Sequence, residues 1–265
     1  MTEFIRGVET GSGLGNFPGV VVLTRDLFDT IEFDAACSGD HRTAAQQMSD
    51  LAATGTQTDA FPRSEAFVRA GEQWLLADDP AAAATGFRSA LAMKGEGEVG
   101  GGPALSDPRV PLARALFLME RPAEAEALIG QLESEQPRDP RLCDLVAELL
   151  VERSDLPRAL RWATVGVELC LGGAVGSDSG GSGSGGSGSG GSGSGGEDTS
   201  AAVAAAERLP VLPDGDRTEL QLLLRLRYRV RNDLGLPEDS YDLLLDGLGG
   251  LGGLSHEPAG TPDAG

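Results

Sequence analysis

The sequence predicts an all-α fold built from repeated pairs of helices, and three observations carry that prediction. A bulky, small and aromatic pattern recurs: Phe67, Ala70, Gly71 and Trp74 lie on one predicted helix, and Ala83, Phe87 and Ala90 on the next. The pattern then returns in register. Ala113 and Ala147 take the place of Gly71, and Ala125 and Ala159 the place of Ala83. Ala113 and Ala147 are 34 positions apart, a period at which two helices and their turns form one stacking unit. Finally, aromatics make up only 5% of the chain while alanine and leucine dominate its ordered part. That composition suits close-packed helices better than strands, which draw on β-branched and aromatic residues.

The elements follow in order. Residues 1–22 are glycine-rich without a helical period, and a loose N-terminus is expected. About four helix pairs then occupy residues 23–171. The first is the weakest copy, with Phe28, Ile31 and Ala35 on one helix and Ala44, Met48 and Leu51 on the next. A loop at residues 54–60 absorbs its extra spacing. Gly71 and Ala113 are 42 positions apart, and the excess falls in residues 94–103, a Gly-rich run with no helical period. Longer loops cost little chain entropy, so the stack tolerates both insertions. Asp79-Pro80, Asp107-Pro108 and Asp139-Pro140 each place a capping carboxylate before a proline suited to a first helical turn. Gly39 and Gly95 stand where a helix is expected to end in a left-handed residue.

Residues 172–199 are dominated by glycine and serine, which lose much entropy on folding and offer no apolar surface. A flexible linker is expected, with an end-to-end distance on the order of 25–30 Å. Its short repeating unit resembles laboratory linkers, and slippage in a GC-rich gene makes the same pattern. Residues 200–248 are expected to form helices that cap the repeats: a short one near 200–208 and a longer one near 216–234, closed by Gly235 and Pro237. Leu220, Leu223, Leu226, Val230 and Leu234 form an apolar stripe that demands burial, and a stack needs its last pair covered. The helix around residues 156–169 is the expected seat. Residues 249–265 are expected to be disordered.

The repeated spacing resembles the tetratricopeptide repeat, which implies an α-solenoid of helix-turn-helix units. Residues 142–153 (LCDLVAELLVER), 155–162 (DLPRALRW) and 225–239, with RVRNDLGLP inside them, resemble the last helices of bacterial tetratricopeptide proteins that carry a SEC-C motif. The zinc motif of that group needs a Cys-x-Cys pair with later Cys or His ligands. This chain does not supply it, and zinc is not carried over. The resemblance implies a recognition surface rather than an activity. Positions 5, 9 and 12 of each first helix line the groove in this repeat; they correspond to Val68, Glu72 and Leu75, to Val110, Arg114 and Phe117, and to Asp144, Glu148 and Val151. Co-chaperone members of the family hold a C-terminal carboxylate there with lysine and asparagine. Here Arg114 stands alone among three acids, so the expected ligand is a peptide bearing a basic and an apolar residue; the alternative is a solvated groove in a protein that binds through another surface.

Charge and residue types narrow the functional classes. The net charge of −20 is wrong for nucleic acid and for an anionic membrane surface. Residues 1–15 lack an apolar core, and three cysteines read as reduced thiols, so a cytoplasmic protein is expected. The Ala-, Gly- and Arg-rich composition, with Lys94 the only lysine, matches a high-GC bacterial genome by association. Cys37 and His41 are four apart, but Gly39 interrupts a helix between them, and no metal site is expected. Cys143 and Cys170 fall at apolar helical positions, and His256 lies in the tail. The run of residues 11–15 lacks the spacing and the flanking strand of a phosphate loop. With two histidines, triad chemistry has few bases to draw on. The expectation is therefore a protein-interaction module with no catalytic role and no cofactor; the alternative is an accessory subunit of a separately encoded enzyme. Arg225, Arg229 and Arg231 are expected to be solvated or paired on the cap.

Overall fold

The computed structural model describes residues 21–58, 60–93, 107–135, 138–176 and 214–247. The expectations for residues 1–20, the loop at 94–103 with Gly95, the linker from 177 onward, the helix at 200–208, and the tail with His256 lie outside the described residues. Ten helices lie among them: α1 (Arg25–Ser38), α2 (His41–Thr54), α3 (Arg63–Leu76), α4 (Pro80–Met93), α5 (Arg109–Leu118), α6 (Pro122–Glu135), α7 (Pro140–Glu152), α8 (Leu156–Gly176), α9 (Asp214–Asp233) and α10 (Ser240–Gly247). Two isolated bridges accompany them, with no strand among the described residues. The chain divides inside α6, between Ala125 and Glu126, into two units.

In the first unit each helix from α1 to α5 packs on the next. Phe28, Ile31 and Ala35 meet Ala44, Met48, Ala52, Phe61, Ala66 and Ala70 in one apolar cluster. Of the expected capping carboxylates here, Asp79 accepts from the Ala82 amide; Asp107 accepts from the Arg109 amide but stands one residue before the cap position, which Pro108 holds without a side-chain hydrogen bond. Gly39 closes α1 at φ 75°. Gly71 is what lets α3 and α4 approach, because a Cβ there would stand 2.5 Å from the Phe87 ring. Trp74 reaches beyond its own hairpin: its indole N–H donates to Ser49 on α2 at 3.0 Å. A half-buried indole seeks an acceptor for that N–H, and α2 holds one. The N-terminal segment also orders earlier than expected. Leu23 is fully buried, its amide donates to the Thr56 carbonyl at 2.8 Å, and Thr56 donates to Val21 at 2.9 Å.

The turns repeat as closely as the helices. Asp78, Glu120 and Ser154 take left-handed φ of 56°, 58° and 61° without being glycine. Each lies seven residues after Gly71, Ala113 or Ala147 respectively. In each turn the next amide reaches back five residues: Asp79 to Trp74, Arg121 to Leu116, and Asp155 to Leu150, all at 2.9 Å. This pattern satisfies the last carbonyls of a helix and sets the exit direction of the chain. The small residues that precede these turns are buried, as are Ala83, Ala125 and Ala159 on the second helices.

In the second unit α7 packs on α8, α9 packs on both, and α10 returns onto α9. The leucine stripe is buried as its period demands. Leu220, Leu223 and Leu224 join Val167 and Cys170 of α8, with Leu244 and Leu245 of α10 closing the cluster. Leu226 and Val230 are buried and Leu234 half-buried. Leu223 sits over Gly166, where a Cβ would meet its methyl at 2.7 Å. Contrary to the expected linker start at 172, α8 continues to Gly176. Each glycine in a helix costs about 1 kcal/mol relative to alanine but does not break it, and α8 already has a long hydrogen-bonded run to extend.

Candidate functional site

The expected groove positions divide between the units. On α3 and α5, Val68 and Val110 are each 3% exposed. They are core residues rather than open groove, because each first helix turns one apolar side under its neighbour. Leu75 and Phe117 are half-buried, Glu72 is exposed and Arg114 is half-buried. Protein atoms crowding Glu72 push its carboxyl up, to about 7; Glu32 adds to the rise, while Arg69 and Arg114 oppose it. Glu72 keeps open surface, so water screens part of that effect. The structure thus brings Glu72 into the field of Arg114. Arg69 is committed elsewhere, paired with Asp29 and Glu32 of α1 and lying against the Phe28 and Phe61 rings.

In the second unit Asp144 and Glu148 line a cleft of about 290 Å³. Val151, also half-buried, is not among its lining residues. The opposite wall belongs to α9: Leu222, Arg225, Leu226 and Arg229. Burial pushes the Asp144 carboxyl up to about 6, with Glu148 and Glu219 adding to the rise. Glu219 is bridged to Arg141 at 3.7 Å. Among the described residues, Asp144, Glu148, Arg225 and Arg229 make no hydrogen bond or ion pair.

Two other arginines of the same helix, Arg227 and Arg231, are paired. Arg227, 5% exposed, donates to Thr164 on α8 at 3.1 Å and to Asp239 at 2.8 and 2.6 Å, and lies 4.6 Å from the Tyr241 ring centre. Arg231 meets Asp239 at 2.9 Å and Asp242 at 3.2 Å, and also donates to the Pro237 carbonyl. Burial would raise the Asp239 carboxyl, but hydrogen bonds and charge from Arg227, helped by Arg231, hold it below its ordinary range. The expectation for Arg231, pairing on the cap, holds in this form. Sequence reasoning misses Arg227, although it falls at the stripe spacing between Leu223 and Val230.

A second, wider cleft of about 590 Å³ runs along α2, from Arg42 and Thr43 to Leu51 and Thr54, and is closed by Trp74. Arg42 covers the indole at 5.5 Å and pairs with Asp79 at 3.2 Å. The Cys37 and His41 pair is separated in use: Cys37 is exposed, and the His41 ring shares a 3.0 Å hydrogen bond with Gln73. Among the described residues no three His, Cys, Asp or Glu side chains are placed to hold a metal. Cys143 and Cys170 are buried, and burial pushes the Cys143 thiol up to about 12. No described helix is long and apolar enough to cross a membrane. Comparison of the chain with protein-family models and with curated proteins found no match.

Proposed function

We propose that this chain is a tetratricopeptide-type interaction module that binds extended peptides and carries out no chemistry itself, in the cytoplasm of a bacterium. The observation that carries this reading is the shared register of three hairpins. Each has a small buried residue and, seven positions later, a left-handed turn residue. Each also presents a charged side chain one position after the small one: Glu72, Arg114 and Glu148. Repeats that keep one frame while varying such a residue are built to display side chains to a ligand. Acids outnumber bases at these positions, which favours a ligand with a basic residue. A peptide array probed with the full chain tests the reading: binders enriched in lysine or arginine next to apolar residues support it. Turnover of a substrate by the purified chain, or an array with no binders, would overturn it.

A further inference from the structure

Helix α9 ends in the same way as α3, α5 and α7, the first helices of the hairpins before it. Gly235 is left-handed at φ 66°, and the Leu236 amide reaches back five residues to Arg231 at 3.0 Å. Counting back ten and six residues from the left-handed residue gives Val68 and Glu72 on α3, Val110 and Arg114 on α5, and Asp144 and Glu148 on α7. On α9 the same count gives Arg225 and Arg229, which line the 290 Å³ cleft opposite Asp144 and Glu148. In this frame Arg229 falls in line with Glu72, Arg114 and Glu148, and Arg225 with Asp144 at a position that buried Val68 and Val110 fill in the first two hairpins.

The chemistry of these positions is distinct. Arg227 and Arg231 are saturated by Asp239 and Asp242, whereas Arg225 and Arg229 are exposed and reach no acid among the described residues. Two acids on one wall and two guanidinium groups on the other, with Leu222 and Leu226 between, call for a ligand charged on both sides. A polyanion meets Asp144 and Glu148, and a purely basic ligand meets Arg225 and Arg229. An extended chain sends successive side chains to opposite sides, so neighbouring residues of opposite charge satisfy both walls at once. The cleft's volume is at the small end for ligand sites, room for a pair of side chains.

We propose that the cleft between α7 and α9 takes a peptide dipeptide step of one basic and one acidic residue, the basic one against Asp144 and Glu148 and the acidic one against Arg225 and Arg229. This rests on the peptide-binding reading above. The test uses the full chain and capped hexapeptides of one composition, Ala-Leu-Lys-Asp-Leu-Ala and an isomer with lysine and aspartate at opposite ends, followed by fluorescence anisotropy at low salt. The adjacent-charge peptide should bind at least tenfold more tightly than the isomer. Arg225→Gln with Arg229→Gln, and separately Asp144→Asn with Glu148→Gln, should each weaken it tenfold or more and abolish the preference. Equal affinity for the two isomers in the parent protein would overturn the proposal, whatever the variants do. Array binders that ignore all four substitutions would overturn this subsite and leave the module reading intact; an array with no binders removes both.

Discussion

Two of the glycine notches among the described residues seat a large side chain of a neighbouring helix, and their surroundings differ. In the first unit Phe87 of α4 lies over Gly71 of α3; in the second Leu223 of α9 lies over Gly166 of α8. The first contact is internal to a hairpin, whose short turn already fixes how its helices meet. The second joins α8 to a helix that arrives from beyond the Gly/Ser-rich run, with no short turn to set its register. There the notch is accompanied by a polar latch, in which Arg227 donates to Thr164 on α8 and to Asp239 beside α10. Leucine contacts are non-directional, whereas hydrogen bonds fix rotation about the helix axis. Chain connectivity does in one place what a buried arginine does in the other.

Removing α9 and α10 has the largest expected effect. Deleting residues 200–265 uncovers Val167 and Cys170 and takes away Leu220, Leu223 and Leu224. Each such leucine contributes about 1.5–3 kcal/mol before conformational entropy is subtracted. The truncated protein should melt at a lower temperature by circular dichroism and self-associate on size exclusion. Unchanged melting of a monomeric product would show that α9 contributes nothing as a cover. Next comes the latch. Asp242→Leu leaves Arg227 and Arg231 with half their acids in a buried setting, and should cost about 3–5 kcal/mol in urea unfolding. A loss below about 1 kcal/mol would mean that Asp239 alone holds both arginines.

The notches themselves sharpen the contrast at smaller scale. Gly71→Ala drives a methyl into a rigid, fully buried ring and should cost about 1–3 kcal/mol, even after the gain in helix propensity. Gly166→Ala meets the ends of a leucine side chain, which can change rotamer, although the Cys143 Cβ at 3.0 Å limits the relief. It should cost less than Gly71→Ala. The reverse order would mean that α8 and α9 are fitted more tightly than α3 and α4.

Much of this architecture is visible in the sequence because its causes are local. Helix caps, periodic small residues and the leucine stripe act over a few positions, so Asp79, Gly39 and Leu223 could be placed by pattern. Trp74 could not, since the acceptor for its N–H sits on a different hairpin. Arg227 breaks the stripe, and only the fold shows that Thr164, Asp239 and Asp242 make its burial tolerable. Of the expected groove positions, Val68 and Val110 turn inward to the core. The cleft draws one wall from α7 and the other from α9, and no local pattern reports a pairing between segments so far apart in the chain. One signal was present: Gly235, a left-handed helix end, sets the count that brings Arg225 and Arg229 into line with Asp144 and Glu148.

The smallest predicted effect concerns that cleft and its protons. Asp144 titrates near 6 in the fold, against about 3.9 in an unfolded chain. Its neutral form is therefore favoured by folding, a contribution fully present below about pH 4 and lost as pH rises through 6. The groups facing it are Glu148 on α7, Glu219, Arg225 and Arg229 on α9, with Glu219 tied to Arg141. Asp144→Asn removes this loss. The variant should gain melting temperature relative to the parent as pH rises from 4.5, with the difference building up to about pH 6 and levelling off between there and 7.5. Asp239, held below its ordinary range, acts in the opposite sense and only at the acid end, where its stabilisation disappears as pH falls below about 4. It is common to both proteins and cancels in the difference. A basic ligand residue beside Asp144 would favour its charged form, so affinity for the adjacent-charge hexapeptide should rise over the same interval in which the free parent loses stability. A flat affinity profile in the parent, together with a melting difference that tracks pH, would place the proton at Asp144 but the peptide elsewhere.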